Sequence, residues 1–373
     1  MQLCLGATYS WSLYVQPLRS VTGLSQGTVQ LPFTLFYFVF PATLFYANRI
    51  SLKWGPRGCA IFGGLFFGSG WMVAGLGSVH FVFTALGIGV LAGLGAGMAY
   101  IVPITVCMRW FPHHKGLVTG LAVAGFGGGA ALVTQVAGWL MRIRGVDVFT
   151  TMTLCGSVFL ILICLSGLVM KMPILTRPKQ ITPKSLKEMV GNPAFRLLYG
   201  AMLIGLAAGF VVNANLKEIQ PVPDLNIGIM AISLFAVANA LGRIIWGHLF
   251  DQFNPAQMIQ FNLVAQAAVM MILPGFLHRD AVMLVFAFLS GFNYGGILVI
   301  YAASVGHLWG DEHVATVYGW LFSANIPAAL SPVLAGYCFD QTGSFFPILL
   351  SIGGVLLVAA GIVRRYRHLL QPL

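Results

Sequence analysis

The sequence predicts an all-α membrane protein, with twelve transmembrane helices in two six-helix bundles. Hydrophobic residues make up 58% of the 373 residues and charged residues only 8%, whereas charged residues make up about 25% of an ordinary soluble domain. Apolar runs of about 20 residues, the length that crosses a bilayer as a helix, recur along the whole chain. A long polar interruption near the middle divides these runs into two sets of six.

The apolar runs follow one another at short intervals, and each predicts one helix. The first run is short and opens at Met1 with no preceding basic residue, so we expect a first helix that lacks its initial turns rather than a signal peptide. The runs lie at about 1–18, 27–47, 57–77, 80–108, 116–140, 149–171, 195–215, 226–247, 256–276, 281–306, 314–338 and 345–363.

The polar interruption, residues 172–193, contains four prolines and several lysines. We expect it to be a cytoplasmic linker between an N-terminal bundle, residues 1–171, and a C-terminal bundle, residues 194–373. An internal repeat supports this division, because Trp110 and Gly120 recur as Trp309 and Gly319, each 199 residues later.

The net charge of +11 is explained by membrane topology. With the N-terminus in the cytoplasm, fourteen Lys and Arg residues fall on the cytoplasmic side and five on the other. This positive-inside bias predicts a multi-pass protein of the cell membrane with both termini cytoplasmic. The basic side is expected to contact anionic lipid headgroups rather than nucleic acid. The cysteines and histidines show no metal-ligand spacing, so neither a metal nor a cofactor is expected.

Arg243 is the main functional candidate, because it lies inside the predicted eighth helix. An arginine near the bilayer centre costs about 2.5 to 3.5 kcal/mol, so it normally faces a bundle interior or a wet cavity and has a partner there. All nine acidic residues lie in or beside polar breaks. A ligand anion is therefore the simplest partner, and a planar guanidinium binds one carboxylate through two parallel hydrogen bonds.

A stretch from Arg109 to Gly129, RWFPHHKGLVTGLAVAGFGGG, resembles a signature of the oxalate:formate antiporter and monocarboxylate transporter branch of the major facilitator superfamily. Val118 stands where alanine is usual. The matching residues are Trp110, Phe111, Lys115, Gly116, Gly120, Ala124 and Gly125. Further similar elements are residues 9–14, 99–100, 242–247 and 318–322. The resemblance covers essentially the whole chain and implies substrate binding near the midplane between two halves.

The superfamily's loop motif after helices 2 and 8 is present in part. The second copy keeps Gly247 and Asp251, and the first copy keeps Lys53, Gly55 and Arg57 but has other residues where glycine and aspartate are usual. The resemblance implies that Asp251 stabilises one gating state across the interface between the bundles. The alternative is an ordinary loop aspartate.

The resemblance further implies that Arg243 binds a substrate carboxylate, with Tyr100 and aromatic residues of helices 1 and 10 closing the cavity. Asn239 lies one helical turn before Arg243, where it is expected to orient the guanidinium, and Trp246 is expected to wall the cavity. The tyrosines serve equally well as packing residues. The additional candidate hydroxyl donors are Tyr9, Tyr294 and Tyr301.

Asn325 differs from the pattern of the oxalate antiporter, which has a lysine at this position. That lysine pairs with the second carboxylate of the antiporter's substrate. One buried cation suits one carboxylate, whereas a second carboxylate would lack a partner at a cost of several kcal/mol. The prediction is therefore a secondary transporter of small monocarboxylates such as lactate, pyruvate or formate, in which the amide of Asn325 contacts the substrate.

Asn239 is a second departure, because animal monocarboxylate carriers have an aspartate there. Proton symport and anion exchange both remain open. Two alternative functions also remain: a dicarboxylate antiporter of the oxalate:formate type, and a facilitator of neutral solutes or drugs in which Arg243 is structural. An enzyme is not predicted, because the sequence contains no evident nucleophile–base pair or metal cluster.

Overall fold

The computed structural model describes residues 1–110, 115–171, 186–220, 225–250, 252–310 and 317–371. Within these ranges the chain is helical throughout, with short connections and no strand. Eleven helices there are long and apolar enough to cross a membrane. Together with a broken first helix they form the twelve helices of the predicted fold, which is confirmed.

The helices are numbered in chain order. The first, α1, consists of Gln2–Leu5, a 3-10 turn Gly6–Ser10 and Ser12–Thr22. The others are α2 (Gln26–Leu44), α3 (Trp54–Ser78), α4 (Phe81–Ile104), α5 (Ala122–Arg142), α6 (Val148–Leu168), α7 (Pro193–Asn215), α8 (Asn226–Phe250), α9 (Pro255–Phe276), α10 (Asp280–Trp309), α11 (Val317–Thr342) and α12 (Phe346–Arg365). A short helix, Leu186–Gly191, precedes α7.

Several helices begin or end where the sequence supplies the required chemistry. Asp147 accepts hydrogen bonds from the first N–H groups of α6, and Asn192 does the same for α7. Asn254 and Gln257 form a reciprocal capping box at the start of α9. Such caps satisfy main-chain donors that have no partner within the helix. Gly55, the second residue of α3, has a positive φ of 69°, a conformation that favours glycine.

Glycines allow the helices of each half to approach closely. In the C-terminal half, a methyl group on Gly242 of α8 would overlap the carbonyl of Phe292 on α10, and one on Gly295 would overlap the carbonyl of Asn239. In the N-terminal half, a methyl group on Gly129 of α5 would overlap the carbonyl of Leu3 on α1. Small residues of this kind are typical of tightly packed membrane helices.

Helices α5 and α2 of the N-terminal half pack against α8 and α11 of the C-terminal half, respectively. The face of the bundle with the loops α1–α2, α3–α4, α5–α6, α7–α8, α9–α10 and α11–α12 is called the short-loop face here. The opposite face, with the linker and the chain termini, is called the linker face. The candidate site lies between the halves, in the C-terminal half of α8.

Candidate functional site

Arg243 is buried in the interface between the halves, with 4% of its surface exposed. Its Nη1 donates a hydrogen bond to the main-chain carbonyl of Val123 on α5 at 2.6 Å. Its Nε and Nη2 are buried and have no hydrogen-bond partner in the described part of the chain. These two nitrogens share one edge of the planar guanidinium. That edge can therefore donate two parallel bonds to a carboxylate.

Tyrosine hydroxyls lie within electrostatic range of Arg243. The hydroxyls of Tyr9 on α1 and Tyr294 on α10 are 3.2 Å apart and form a hydrogen bond across the interface. The charge of Arg243 acts electrostatically on the hydroxyls of Tyr100, Tyr294 and Tyr318. The structure thus brings together three of the predicted residues, Tyr9, Tyr100 and Tyr294, around the predicted arginine.

Aromatic rings form the apolar wall of the site. The ring of Phe126 on α5 lies edge-on to both Tyr9 and Tyr100, with centroids 5.2 Å apart in each case. The ring of Phe40 on α2 lies 5.4 Å from Tyr100 and 6.0 Å from Phe322 on α11. Mostly apolar walls with a few convergent polar groups are typical of small-molecule sites.

Asn239 and Trp246 occupy different places around Arg243. The side chain of Asn239 is fully buried, and neither of its polar atoms has a hydrogen-bond partner among the described residues. Asn239 therefore does not orient Arg243 through a hydrogen bond in this structure. Trp246 packs against Phe292 on α10, with ring centroids 6.0 Å apart. Its ring thus fills space between two helices of the C-terminal half.

Asn325 and Tyr301 are both buried. The Asn325 side-chain amide donates to the main-chain carbonyl of Phe322 at 2.7 Å, so in this structure the amide stabilises the break between a 3-10 turn and the following helix of α11. Tyr301 lies two turns beyond Tyr294 on α10, and its hydroxyl has no hydrogen-bond partner in the described ranges. Neither residue contacts Arg243 directly through a hydrogen bond.

The family profile of the Major Facilitator Superfamily matches residues 1–325 and 219–372. The chain belongs to the Major Facilitator Superfamily. The resemblance found in the sequence is therefore confirmed, and the protein is a membrane transporter by family and fold rather than an enzyme.

Relatives within the superfamily support the same branch. The chain is 26% identical to the oxalate:formate antiporter of Oxalobacter formigenes over 338 residues, which cover 88% of this chain and 80% of the relative. It is 22% identical to monocarboxylate transporter 13 of Rattus norvegicus over 343 residues, covering 86% and 76% of the two chains. The fold is similar to that of the superfamily transporter FucP, solved in the outward conformation, with a TM-score of 0.62, 16% identity and coverage of 98% and 97%.

The loop motif of this superfamily member is only partly within the described residues. Gly55 interrupts the helical backbone at the start of α3, and Arg57 is exposed beside it. Gly247 is half-buried against Val299 of α10. Asp251 and the side chain of Lys53 lie outside the part of the chain that the structure describes, so their proposed gating roles stay predictions.

Sequence reasoning missed two tyrosines. The hydroxyl of Tyr318 interacts electrostatically with Arg243. It donates a hydrogen bond to the main-chain carbonyl of Leu298 at 2.9 Å. Its membership in the motif at residues 318–322 was an available signal. Tyr37 stacks on Tyr9, with ring centroids 6.2 Å apart. Nothing in its sequence context distinguishes it from the other aromatic residues of α2.

Proposed function

We propose that this transporter moves small monocarboxylates, of the lactate, pyruvate or formate type, by alternating access around Arg243. The observation that carries the proposal is the unpaired Nε–Nη2 edge of a buried guanidinium. A buried charge without a counter-charge is expensive. A carboxylate at this edge would neutralise the charge and accept both free donors.

The site as described has one cation, Arg243, which matches a substrate with one carboxylate. The polar groups around Arg243 include the neutral hydroxyls of Tyr9, Tyr100 and Tyr294, which suit a hydroxyl, keto or second carboxylate oxygen of the same small acid. Substrate size is limited by the rings of Phe126 and Phe40. The names of the relatives, which include monocarboxylate transporters, support the same substrate class.

Two alternative functions each rest on one observation. The relative that transports oxalate and formate favours a dicarboxylate antiporter. The hydrogen bond from Arg243 to the Val123 carbonyl favours a structural arginine in a facilitator of neutral solutes. The first alternative leaves a second carboxylate without a cation, and the second leaves two buried N–H donors unpaired.

The cycle requires the two halves to separate alternately at the two faces of the membrane. Hydrogen bonds from Arg243 to Val123 and between Tyr9 and Tyr294 both join the halves, so a substrate that binds between them replaces contacts between the halves with its own. We place the protein in the cell membrane, with the linker face cytoplasmic and in contact with anionic lipids. Proton symport and anion exchange are both compatible with this cycle.

Uptake by proteoliposomes tests the proposal. Labelled lactate, pyruvate, formate and oxalate would be offered with and without an inward proton gradient, and with and without trapped internal substrate. We expect uptake of the monocarboxylates; dependence on trapped substrate would indicate exchange, and acceleration by the gradient would indicate symport. Uptake of oxalate alone, or of neutral solutes alone, would contradict the proposal.

A further inference from the structure

A second polar group of the interface lies at the short-loop face, away from Arg243, on a half-buried residue. It is the carboxyl group of Glu218, in the connection between α7 and α8. Its Oε2 accepts a hydrogen bond from the hydroxyl of Ser12 at 3.2 Å. Its Oε1 is buried and has no hydrogen-bond partner in the described ranges. Because Ser12 belongs to α1, this bond joins the N-terminal half to the C-terminal half.

The geometry fixes where a proton can reside. The Ser12 oxygen accepts a hydrogen bond from the main-chain N–H of Lys217 at 2.8 Å. The single proton of Ser12 is then donated to Oε2 of Glu218, which acts as an acceptor. A proton bound by the carboxyl group therefore resides on Oε1, the atom without a partner.

The neighbouring lysine does not neutralise Glu218 through a direct bond. The stem of Lys217 packs against Gly228 of α8, and its side chain lines a groove of about 330 Å³ that it shares with Arg142 and Asp147. Burial lowers the pKa of Lys217, although Glu218 opposes this effect. The lysine side chain thus lies along this groove, beside α5 and α8.

Other charged groups are too distant or already engaged. Arg19 of α1 acts on Glu218 only through its longer-range field, and Asp280 of α10 accepts a hydrogen bond from Gln220 at 2.9 Å. Burial raises the pKa of Glu218 to about 8, even though Lys217, Ser12 and Arg19 lower it. The closed interface thus favours the neutral carboxyl group.

Further hydrogen bonds between the halves close the short-loop face around this group. The side-chain amides of Gln26 and Gln30 on α2 both donate to the Asn215 oxygen at the end of α7, at 2.8 and 2.9 Å. The carboxylate of Asp340 on α11 accepts the main-chain N–H groups of Gln26 and Gly27, both at 3.0 Å. Separation of the halves at this face would break these bonds and expose Glu218 to water.

We propose that Glu218 is a proton-binding site whose occupancy is linked to closure of the short-loop face. The carboxyl group takes up a proton when the halves close at this face and releases it to the water on the same side when they separate. The proposal requires alternating access, which the family supplies, but it does not depend on the identity of the substrate.

The direction of the pH effect follows from linkage. A water-exposed glutamate has a pKa of about 4.3, and Glu218 at the closed interface has a raised pKa of about 8. Between these values the closed state binds one more proton than the open state. Raising the pH through this window therefore favours the open short-loop face, by up to about tenfold in the equilibrium constant per pH unit.

Distances between spin labels would measure this equilibrium without substrate. Labels would replace the exposed residues Val21 on α1 and Gln341 on α11, in a background without the six native cysteines. We expect the short distance to predominate at pH 6 and a longer distance to gain population up to pH 9. The variant Glu218→Gln, a neutral isostere, should keep the short distance at every pH.

The exposed Glu188 provides the matched control, because Glu188→Gln makes the same chemical change and should follow the wild-type profile. Ser12→Ala offers a second test if Glu218→Gln folds poorly. Loss of the Ser12 donor raises the pKa of Glu218 further and should move the transition to higher pH. A pH-independent wild type, or a Glu218→Gln variant with the wild-type transition, would overturn the proposal. Since no substrate is present, these outcomes are independent of the transport tests on Arg243.

Discussion

Nη1 of Arg243 lies 2.6 Å from the main-chain oxygen of Val123, and this hydrogen bond joins α8 to α5 across the interface between the halves. The bond occupies one nitrogen of the guanidinium and leaves the Nε–Nη2 edge without a partner. The arginine thus combines a contact between the halves with free donors for an anion. The first prediction separates these two roles.

Replacement of Arg243 tests the proposed carboxylate site. Arg243→Gln removes the charge, and removal of one partner from a buried ion pair costs about 3 to 5 kcal/mol, so monocarboxylate uptake should fall at least about a hundredfold. Arg243→Lys keeps the charge but cannot form two parallel bonds, and its apparent substrate affinity should be intermediate. Arg365→Gln, at the exposed end of α12, is the control in the uptake assay. Normal carboxylate transport by Arg243→Gln would exclude the proposed role.

Asn325→Lys tests substrate charge. Asn325 is buried on α11 beside Phe322, whose ring contacts the Phe40 wall. A lysine there would add a second cation, which suits a dicarboxylate. When no anion is bound, this cation and Arg243 repel each other because they carry the same charge. We expect oxalate uptake to rise and lactate uptake to fall in competition assays with both labelled acids. Unchanged selectivity would place Asn325 outside the substrate site.

Tyr9 and Tyr294 provide a double-mutant cycle. Their hydroxyls are 3.2 Å apart across the interface, so Tyr9→Phe and Tyr294→Phe each remove one partner of the same bond while keeping the ring. We expect each single variant to change substrate affinity, and the double variant to differ from the sum by about 0.5 to 1.5 kcal/mol. Binding would be measured by calorimetry in detergent. Strict additivity would show that the two hydroxyls act independently.

The close contact between α8 and α10 predicts a stability effect. A methyl group on Gly242 would overlap the Phe292 carbonyl, whereas one on Gly354 of α12 would meet no atom within 4 Å. Overpacking costs about 1 to 3 kcal/mol, so Gly242→Ala should lower the thermal midpoint in detergent. Gly354→Ala should leave it unchanged. Equal midpoints for the two variants would contradict the packing role assigned to Gly242.

Much of the fold was predictable, because the bilayer imposes one length on every apolar run. The run at 226–247 corresponds to α8, Asn226–Phe250, and the charge of Arg243 stands out against it. Tyr9 and Tyr294 were predictable as candidates, but their mutual contact depends on how two distant helices pack. Glu218 was assigned to a polar break, because sequence position does not reveal that its carboxyl group is covered by α1.

The glycine contacts described for each half have a mechanical consequence. Backbone contact at Gly242 and Gly295 packs α8, which carries Arg243, and α10, which carries Tyr294, into one rigid helix pair. Similar contact at Gly129 packs α1, which carries Tyr9, against α5 in a second rigid helix pair. Such close packing restricts side-chain rearrangement within either helix pair. The distance between the two helix pairs therefore determines which acids fit. Mutations that change the angle between the pairs should alter substrate selectivity even where no residue of the site is replaced.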